Sequence, residues 1–181
     1  PPFTTSTLQQ EASRKLGMTA KRTMAVAQEL YEGVEVADLG VTGLITYMRT
    51  DSLRIAAEAQ AAARDFIAQR FGPDYRPAKA RTFHTKKNAQ DAHEAIRPSN
   101  PALEPETIRR SLTPDQYRLY KLIWSRFIAC QMAEAVLDTV SADIACSSQI
   151  FRASGQSVAI PGFLALYEEG SDEQNDDDQL S

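Results

Sequence analysis

The sequence lacks the features that mark several large classes of protein. Its two cysteines are not in a paired spacing such as C-x-x-C, which argues against a zinc site. No apolar run approaches the roughly 20 residues of a membrane-spanning helix, and no signal-peptide pattern opens the chain. No G-x-x-x-x-G-K-[ST] motif occurs, so nothing suggests ATP. We therefore expect a cytoplasmic protein with two reduced thiols, no membrane partner and no ATP.

An initiator methionine is also missing, which agrees with an excised part of a longer protein. The 181 residues include 43% hydrophobic and 24% charged residues, enough for one good core and part of a second.

Charge is distributed unevenly along the chain. Residues 1–126 hold 19 Lys and Arg against 14 Asp and Glu, a net charge of +5. Residues 127–181 hold 1 against 10, a net charge of −9. The first part can therefore meet a phosphate backbone, whereas the last part repels it.

Apolar periodicity and capping residues predict a mainly α protein. The predicted helices are 6–16, 20–32, 53–71, 89–96 and 114–132. Ser6 with Gln9 has the spacing of a capping box, and Thr19 and Thr113 can cap the second and last helices. The aromatic stripe of the last helix is typical of a core rather than of a base-stacking platform. This stripe contains Tyr120, Trp124, Phe127 and Ile128.

The pattern after the last helix alternates instead, which predicts strands. Residues 137–146 alternate, and residues 150–160 are predicted to form a hairpin around 154–156. The predicted organisation is a helical domain over 1–130, the start of a β-rich domain over 131–167, and an acidic disordered loop or tail over 168–181.

The stretch Gly43–Ser52 is the most informative one for chemistry. Tyr47 ends a short apolar run, predicted to be extended over 44–48, and Arg49 follows on the same side. The next three residues can each cap the following helix, whose free backbone donors favour a phosphate. A tyrosine in such a place is also a common packing residue, and the spacing alone leaves both interpretations open.

Three blocks of the sequence closely resemble the type IA DNA topoisomerases of bacteria. They are PPFTTSTLQQEAS at the start, GLITYMRTDS around Tyr47, and AQDAHEAIRPS further on, in the order of that family. The resemblance implies that Tyr47 attacks one DNA strand and becomes attached to its 5′ phosphate. It implies that Arg49 stabilises the phosphate and that His93 contacts the same or a neighbouring phosphate.

The residue types agree with these roles. A free tyrosine titrates near pH 10, so Tyr47 needs activation or a neighbouring cation, and the planar guanidinium of Arg49 can hold two phosphate oxygens. His93 with Glu94 does not form an H-E-x-x-H zinc helix, because Arg97 stands where the second histidine is required. Asp51, Lys86 and Arg97 are further candidate DNA contacts, and Lys86 belongs to a basic loop over 73–88.

The resemblance also implies components that this sequence does not contain. The family uses a Toprim domain whose carboxylates bind Mg²⁺, and no part of this sequence is expected to replace that domain. The run of three aspartates over 176–178 is predicted to belong to a linker rather than to a metal site. The whole enzyme is expected to cleave one strand, pass another through the break and reseal it, relaxing negatively supercoiled DNA. Alone, this chain is expected to bind single strands weakly and to relax nothing.

Two other functions remain open from the residues. One is a non-catalytic helical module that binds single-stranded nucleic acid, with Tyr47 stacked on a base or packed in the core. The other is a tyrosine recombinase, although its arginine and histidine arrangement cannot be placed in this sequence.

Overall fold

A computed structural model of the chain describes residues 1–83 and 93–167. Its four α-helices are α1 (Thr5–Leu16), α2 (Ala20–Glu32), α3 (Ala57–Arg70) and α4 (Pro114–Gln131). Its four strands are β1 (Val34–Val36), β2 (Gly40–Thr42), β3 (Val136–Cys146) and β4 (Gln149–Ile160). Three short 3₁₀ helices span Pro73–Tyr75, Arg109–Ser111 and Gly162–Ala165. Helix makes up 42% and strand 21%, so the prediction of a mainly α protein is confirmed only in part.

Local capping signals explain where two of the helices begin. Thr19 accepts a hydrogen bond from the backbone of α2, and Thr113 forms a capping box with Gln116 at the start of α4. Both helices therefore begin where the sequence predicts. The capping box predicted for Ser6 and Gln9 is wrong, because Thr4, two residues before Ser6, takes an extended conformation as the N-cap and forms the capping box with Thr7.

The helix predicted over 53–71 begins later than expected. The Ser52 amide donates to Thr50 Oγ1 at 3.0 Å, and the Arg54 amide donates to Ser52 Oγ at 3.1 Å. These hydroxyls are used within a local turn, a known competitor of helix starts. The helix then starts at Ala57 with no side-chain cap. The predicted capping of this helix by residues 50–52, and with it the phosphate cradle at its N-terminus, is therefore wrong.

The segment that follows residue 92 is extended rather than helical. Ile96 pairs with Phe3 and Pro98 pairs with Ile45 as isolated antiparallel bridges. The prediction of a helix over 89–96 is therefore wrong for residues 93–96, because long-range pairing holds them extended. Residues 89–92 lie outside the described ranges. The strand predicted over 44–48 is reduced to the Ile45 bridge.

Both hairpins differ from the prediction. The antiparallel pair β1 and β2 was not predicted in the polar stretch 33–42. In the long hairpin the chain turns at Ser147 and Ser148, where Ser147 has a φ of 55°. The turn predicted around 154–156 is wrong, because Gly155 lies inside β4 opposite Val140.

Helix α4 supplies much of the core. Tyr120 and Trp124 are buried, and their polar atoms donate to the carbonyls of Leu103 at 2.7 Å and Pro101 at 2.9 Å. The aromatic stripe thus packs in the core as predicted. After the long hairpin the chain returns to this core, where Tyr167 donates to the buried Glu11 at 2.7 Å. The predicted boundary at residue 130 stays a prediction, and residues 168–181 lie outside the described ranges.

Candidate functional site

The segment that carries Tyr47 is held against the end of α2. The Leu44 amide donates to the Leu30 carbonyl at 2.8 Å. A side chain on Gly43 would bring its Cβ within 2.9 Å of the Tyr31 carbonyl oxygen, so only glycine allows this approach. Met48 is fully buried, and the residues on either side of it, Tyr47 and Arg49, are exposed. The buried Met48 therefore anchors a segment whose predicted site residues, Tyr47 and Arg49, are exposed.

Two threonines join this segment to the other sequence blocks. The Thr5 hydroxyl donates to the Met48 carbonyl at 2.8 Å and accepts from the Thr50 amide at 2.8 Å. The Thr46 hydroxyl donates to the Ala95 carbonyl at 2.7 Å. The start of α1, the tyrosine segment and the segment after residue 92 are thus joined through side-chain hydroxyls.

Tyr47 lies between two other rings. Its side chain is 41% exposed. Its ring centroid is 5.4 Å from that of Tyr31 and 6.4 Å from that of His93. Tyr47 makes no hydrogen bond to any residue in the described ranges. The ring is thus held by aromatic contacts although the residue stays partly exposed.

A polar cavity of about 500 Å³ lies beside this aromatic group. Its walls are formed by Thr5, Ser6, Gln9, Arg49, Thr50, Asp51 and His93. Among the described residues, none forms an ion pair or hydrogen bond with the Arg49 guanidinium. Its donors therefore remain available to an anion. Asp51 brings a carboxylate into the same space.

Two other predicted DNA contacts are Arg97 and Lys86. Arg97 forms an ion pair with Glu94, with Nη2 and Nε at 2.6 and 2.8 Å from Oε2, and also donates to the Pro98 carbonyl at 3.0 Å. Arg97 does not line the cavity, and its role as a phosphate contact stays a prediction. Lys86 lies outside the described ranges. In the described part of the basic loop, Arg81 pairs with Glu134 at 2.7 Å.

Four residues of the site were missed by the sequence analysis. Thr5, Ser6 and Gln9 belong to the first resembling block, but none was predicted as a site residue; Ser6 and Gln9 were predicted only as a capping box. Tyr31 was predicted only to lie within the helix 20–32. No local signal in the sequence points to Tyr31, because its contact with Tyr47 forms only when the β1–β2 hairpin turns the chain back.

The described residues do not fit a metal site. Residues 1–83 and 93–167 contain no group of three or more His, Cys, Asp and Glu side chains that could hold an ion. That Mg²⁺ is bound by another domain of the polypeptide stays a prediction.

Within the described ranges, no helix combines the length and the apolarity that are needed to cross a membrane.

Comparisons with known proteins agree with the resemblance. A family model described as DNA topoisomerase matches residues 1–181. DNA topoisomerase 1 from each of two Xylella fastidiosa strains is 50% identical over 183 residues, which cover 99% of this chain and 22% of the relative. Full-length topoisomerase I from Thermotoga maritima superposes with a TM-score of 0.78 at 39% identity, covering 95% of this chain and 28% of that one. The chain thus spans about a fifth of the length of these curated relatives. It belongs to the bacterial DNA topoisomerase I family of type IA enzymes.

Proposed function

We propose that this chain is the tyrosine-bearing part of a type IA topoisomerase that cleaves one DNA strand through a 5′-phosphotyrosine. One observation carries the proposal: the exposed Tyr47 lies next to a polar cavity in which Arg49 and His93 meet. Phosphoryl transfer to a side chain requires a nucleophile and donors that stabilise the charge developing on the phosphate. Tyr47 can supply the nucleophilic hydroxyl, and Arg49 and His93 can supply the donors.

The chemical step is a transesterification. The Tyr47 oxygen attacks the phosphorus as its proton leaves, a bond forms between them, and the bond from phosphorus to the O3′ atom breaks. The released O3′ takes up a proton. Arg49 holds two phosphate oxygens and stabilises the charge that develops there, and His93 supplies a second contact. Because the phosphotyrosine keeps the energy of the broken ester, the reverse reaction reseals the strand without ATP.

Relaxation of negatively supercoiled DNA requires more than this step. The leaving O3′ and its strand need a second binding surface, and the proposed Mg²⁺ would be bound by other domains of the same polypeptide. We therefore expect this chain alone not to relax DNA. We also propose that the complete enzyme acts in the cytoplasm, where the chromosome lies.

The long hairpin supports the need for other domains. Its pairing places Val140, Ile144 and Phe151 on one face, and all three are exposed. The opposite face carries the ion pair of Asp143 with Arg152, at 2.7 Å. An apolar face of this kind is typical of a sheet that packs against another layer. We infer that residues 131–167 begin a β-rich gate domain completed by other segments of the polypeptide.

The test is formation of a covalent adduct. The chain is combined with a Toprim-bearing segment, Mg²⁺ and a labelled single strand, and the protein–DNA adduct is quantified after denaturation. Tyr47→Phe should abolish the adduct. Tyr75→Phe is a matched control, since its hydroxyl makes no hydrogen bond to a described residue. Equal adduct from wild type and Tyr47→Phe would refute the assignment of the nucleophile.

A second variant tests the cation. Arg49→Lys keeps the charge but loses the planar fork, so cleavage should fall while the fold is retained. Full activity of this variant would remove Arg49 from the mechanism.

One observation also favours a non-catalytic single-strand-binding module. Tyr47 is exposed beside Tyr31 and His93, and such rings can stack on a base. This function predicts that Tyr47→Phe binds single strands as wild type does and that neither protein forms an adduct.

A further inference from the structure

We propose that the outer face of α1 is a binding groove for the two or three nucleotides that lie on the 3′ side of the reacting phosphate. The proposal rests on the proposed function for its register, because Tyr47 would hold the 5′ phosphate of that strand. The groove adds a single-strand subsite to the nucleophile and its cation.

A second polar cavity adjoins the first. It has a volume of about 400 Å³. It is lined by Ser6, Gln9, Gln10, Ser13, Arg14 and Ala20. Ser6 and Gln9 line both cavities, so the two form one continuous groove that leads from Arg49 and His93 to the start of α2.

Helical spacing explains why these side chains form a line. Residues 6, 9, 10 and 13 are separated by three or four positions and share one face of α1. Leu8 and Ala12, on the other face, are fully buried. From Ser6 to Ser13 the helix rises about 10 Å, the length of roughly three stacked nucleotides at 3.4 Å each. The length of the face thus sets the number of nucleotides.

The chemistry of this face suits a sugar–phosphate chain. Ser and Gln side chains each donate and accept hydrogen bonds, and such groups make many of the contacts to phosphates and sugars in protein–DNA complexes. Gln9, Gln10 and Ser13 have no side-chain hydrogen-bond partner among the described residues. The lining of the outer cavity contains no carboxylate, and Arg14 at its far end is also near Glu11, at 3.4 Å. A negatively charged strand therefore meets donors without repulsion from an acid in the wall.

The exposed faces of the other helices differ. Helix α4 carries Asp115 hydrogen-bonded to Arg118, and α2 carries Gln28 bonded to Glu32 at 2.5 Å. Those side chains are already paired within the protein. On α1, by contrast, Gln9, Gln10 and Ser13 are uncharged and have no side-chain hydrogen-bond partner among the described residues, and Gln9 also lines the cavity of Arg49.

The reaction determines the direction of the strand. Cleavage separates an end with a free O3′ from an end whose 5′ phosphate is bound to Tyr47. Only the second end stays attached to this chain, so it is the one that a groove on α1 can hold while the break is open.

The probe for this groove is a set of single-stranded oligonucleotides of one to six nucleotides with a 5′ phosphate and a 3′ fluorophore. These mimic the attached end and require no cleavage. We expect the affinity of the wild-type chain, measured by fluorescence anisotropy, to rise with each added nucleotide up to about three and then to level off. The same oligonucleotides with a 5′ hydroxyl should bind more weakly at every length.

The variants separate the groove from the rest of the surface. Combined Gln9→Ala, Gln10→Ala and Ser13→Ala should remove this rise and weaken binding of the trinucleotide at least about tenfold through three lost hydrogen bonds. Alanine favours helix, so α1 should stay folded, as circular dichroism would verify. Gln10→Glu, which adds a carboxylate to the groove, should also weaken binding, while Gln28→Glu on α2 should not.

The outcomes distinguish this proposal from the proposed function. If the triple variant binds every length as wild type does, the groove is refuted, even where Tyr47 still forms its adduct. A rise in affinity that is equal for oligonucleotides carrying only a 3′ phosphate would refute the direction. If the wild type forms no adduct yet the triple variant loses the length dependence, the groove stands and the cleavage function fails.

Discussion

Tyr31 packs edge to face against Tyr47, with ring centroids 5.4 Å apart and ring planes at 66°. Tyr31 lies in the last turn of α2, and the neighbouring Leu30 carbonyl accepts a hydrogen bond from the Leu44 amide at 2.8 Å. One helical turn therefore holds both the backbone and the ring of the tyrosine segment. The segment of the proposed nucleophile is therefore held against a rigid helix, although it is itself neither helix nor strand.

We predict that Tyr31→Ala slows adduct formation by up to about tenfold, because aromatic pairs contribute about 0.5–1.5 kcal/mol and this pair orients the nucleophile. Tyr31→Phe keeps the ring and should react almost as wild type does. The measurement is the initial rate of adduct formation with the complete set of segments. An unchanged rate for Tyr31→Ala would show that the contact does not position Tyr47.

Thr5 is predicted to hold the tyrosine segment from the side of α1. Its hydroxyl bonds both the Met48 carbonyl and the Thr50 amide at 2.8 Å. Thr5→Val keeps the shape but leaves these backbone groups unpaired, so the free energy of unfolding should fall by about 1–3 kcal/mol. Thr5→Ser retains the hydroxyl and serves as the control. Urea unfolding measures the loss, and equal stability of the valine and serine variants would contradict the prediction.

Elements with strong local signals could be predicted from the sequence. Thr19 and the Thr113-Pro114 pair mark the beginnings of α2 and α4, and both helices were predicted correctly. The segment after residue 92 could not, because its conformation depends on partners far along the chain. Ile96 pairs with Phe3, and the Ala95 amide donates to the Arg54 carbonyl at 2.9 Å.

The same distinction holds for the candidate site. Tyr47, Arg49 and His93 were predicted because sequence blocks carry them. Their common setting depends on tertiary contacts that the resemblance did not reveal: those of the Thr5 hydroxyl, which lies in the first block, and of the Tyr31 ring, which lies in none. The role of Thr50–Ser52 was predicted wrongly because capping residues are equally able to bond within their own turn.

Arg97 is predicted to stabilise the segment of His93 through Glu94. The two side chains are only 12% and 20% exposed, and removing either partner leaves the other charge partly buried and unpaired. Arg97→Ala and Glu94→Gln should each lower the free energy of unfolding by about 2 kcal/mol. Thermal unfolding measures both.

The paired variants also separate this role from a phosphate contact. If Arg97 binds DNA directly, Arg97→Ala but not Glu94→Gln should make single-strand binding less sensitive to salt. The slope of the logarithm of the binding constant against the logarithm of the salt concentration should fall in magnitude by about one, which corresponds to one lost phosphate contact. If it acts through Glu94, both variants should alter binding to a similar extent. A stable Arg97→Ala protein would contradict the structural role.

Cys130 should make the fold less stable at alkaline pH. Burial raises the pKa of its thiol above its ordinary value, to about 11. In the unfolded chain the thiol loses its proton earlier than in the folded protein, so the free energy of unfolding should fall as pH rises from about 9 to 11. Burial also raises the pKa of Tyr120, which acts in the same direction above pH 10.

Urea unfolding between pH 8 and pH 10 measures this effect. Cys130→Ala should show a flatter profile than wild type, whereas Cys146→Ala, at an exposed thiol, should follow the wild type. Identical slopes for all three proteins would exclude Cys130 as the source of the pH dependence.

Asp51 is the one carboxylate among the described residues that line the cavity of Arg49 and His93, and it repels the phosphate that the site is proposed to hold. As a DNA contact it suits a donor such as a base amino group better than a phosphate oxygen. Asp51→Asn should therefore strengthen binding of a 5′-phosphorylated oligonucleotide by roughly fivefold, corresponding to about 1 kcal/mol of removed repulsion.

Asp74→Asn changes the net charge equally but lies outside the cavity, so it should have a much smaller effect. The gain should shrink as salt is added, since screening weakens the repulsion that the substitution removes. Weaker binding by Asp51→Asn would instead mean that the carboxylate accepts a hydrogen bond from the strand. The repulsion between this carboxylate and the phosphate would then be too weak to affect binding.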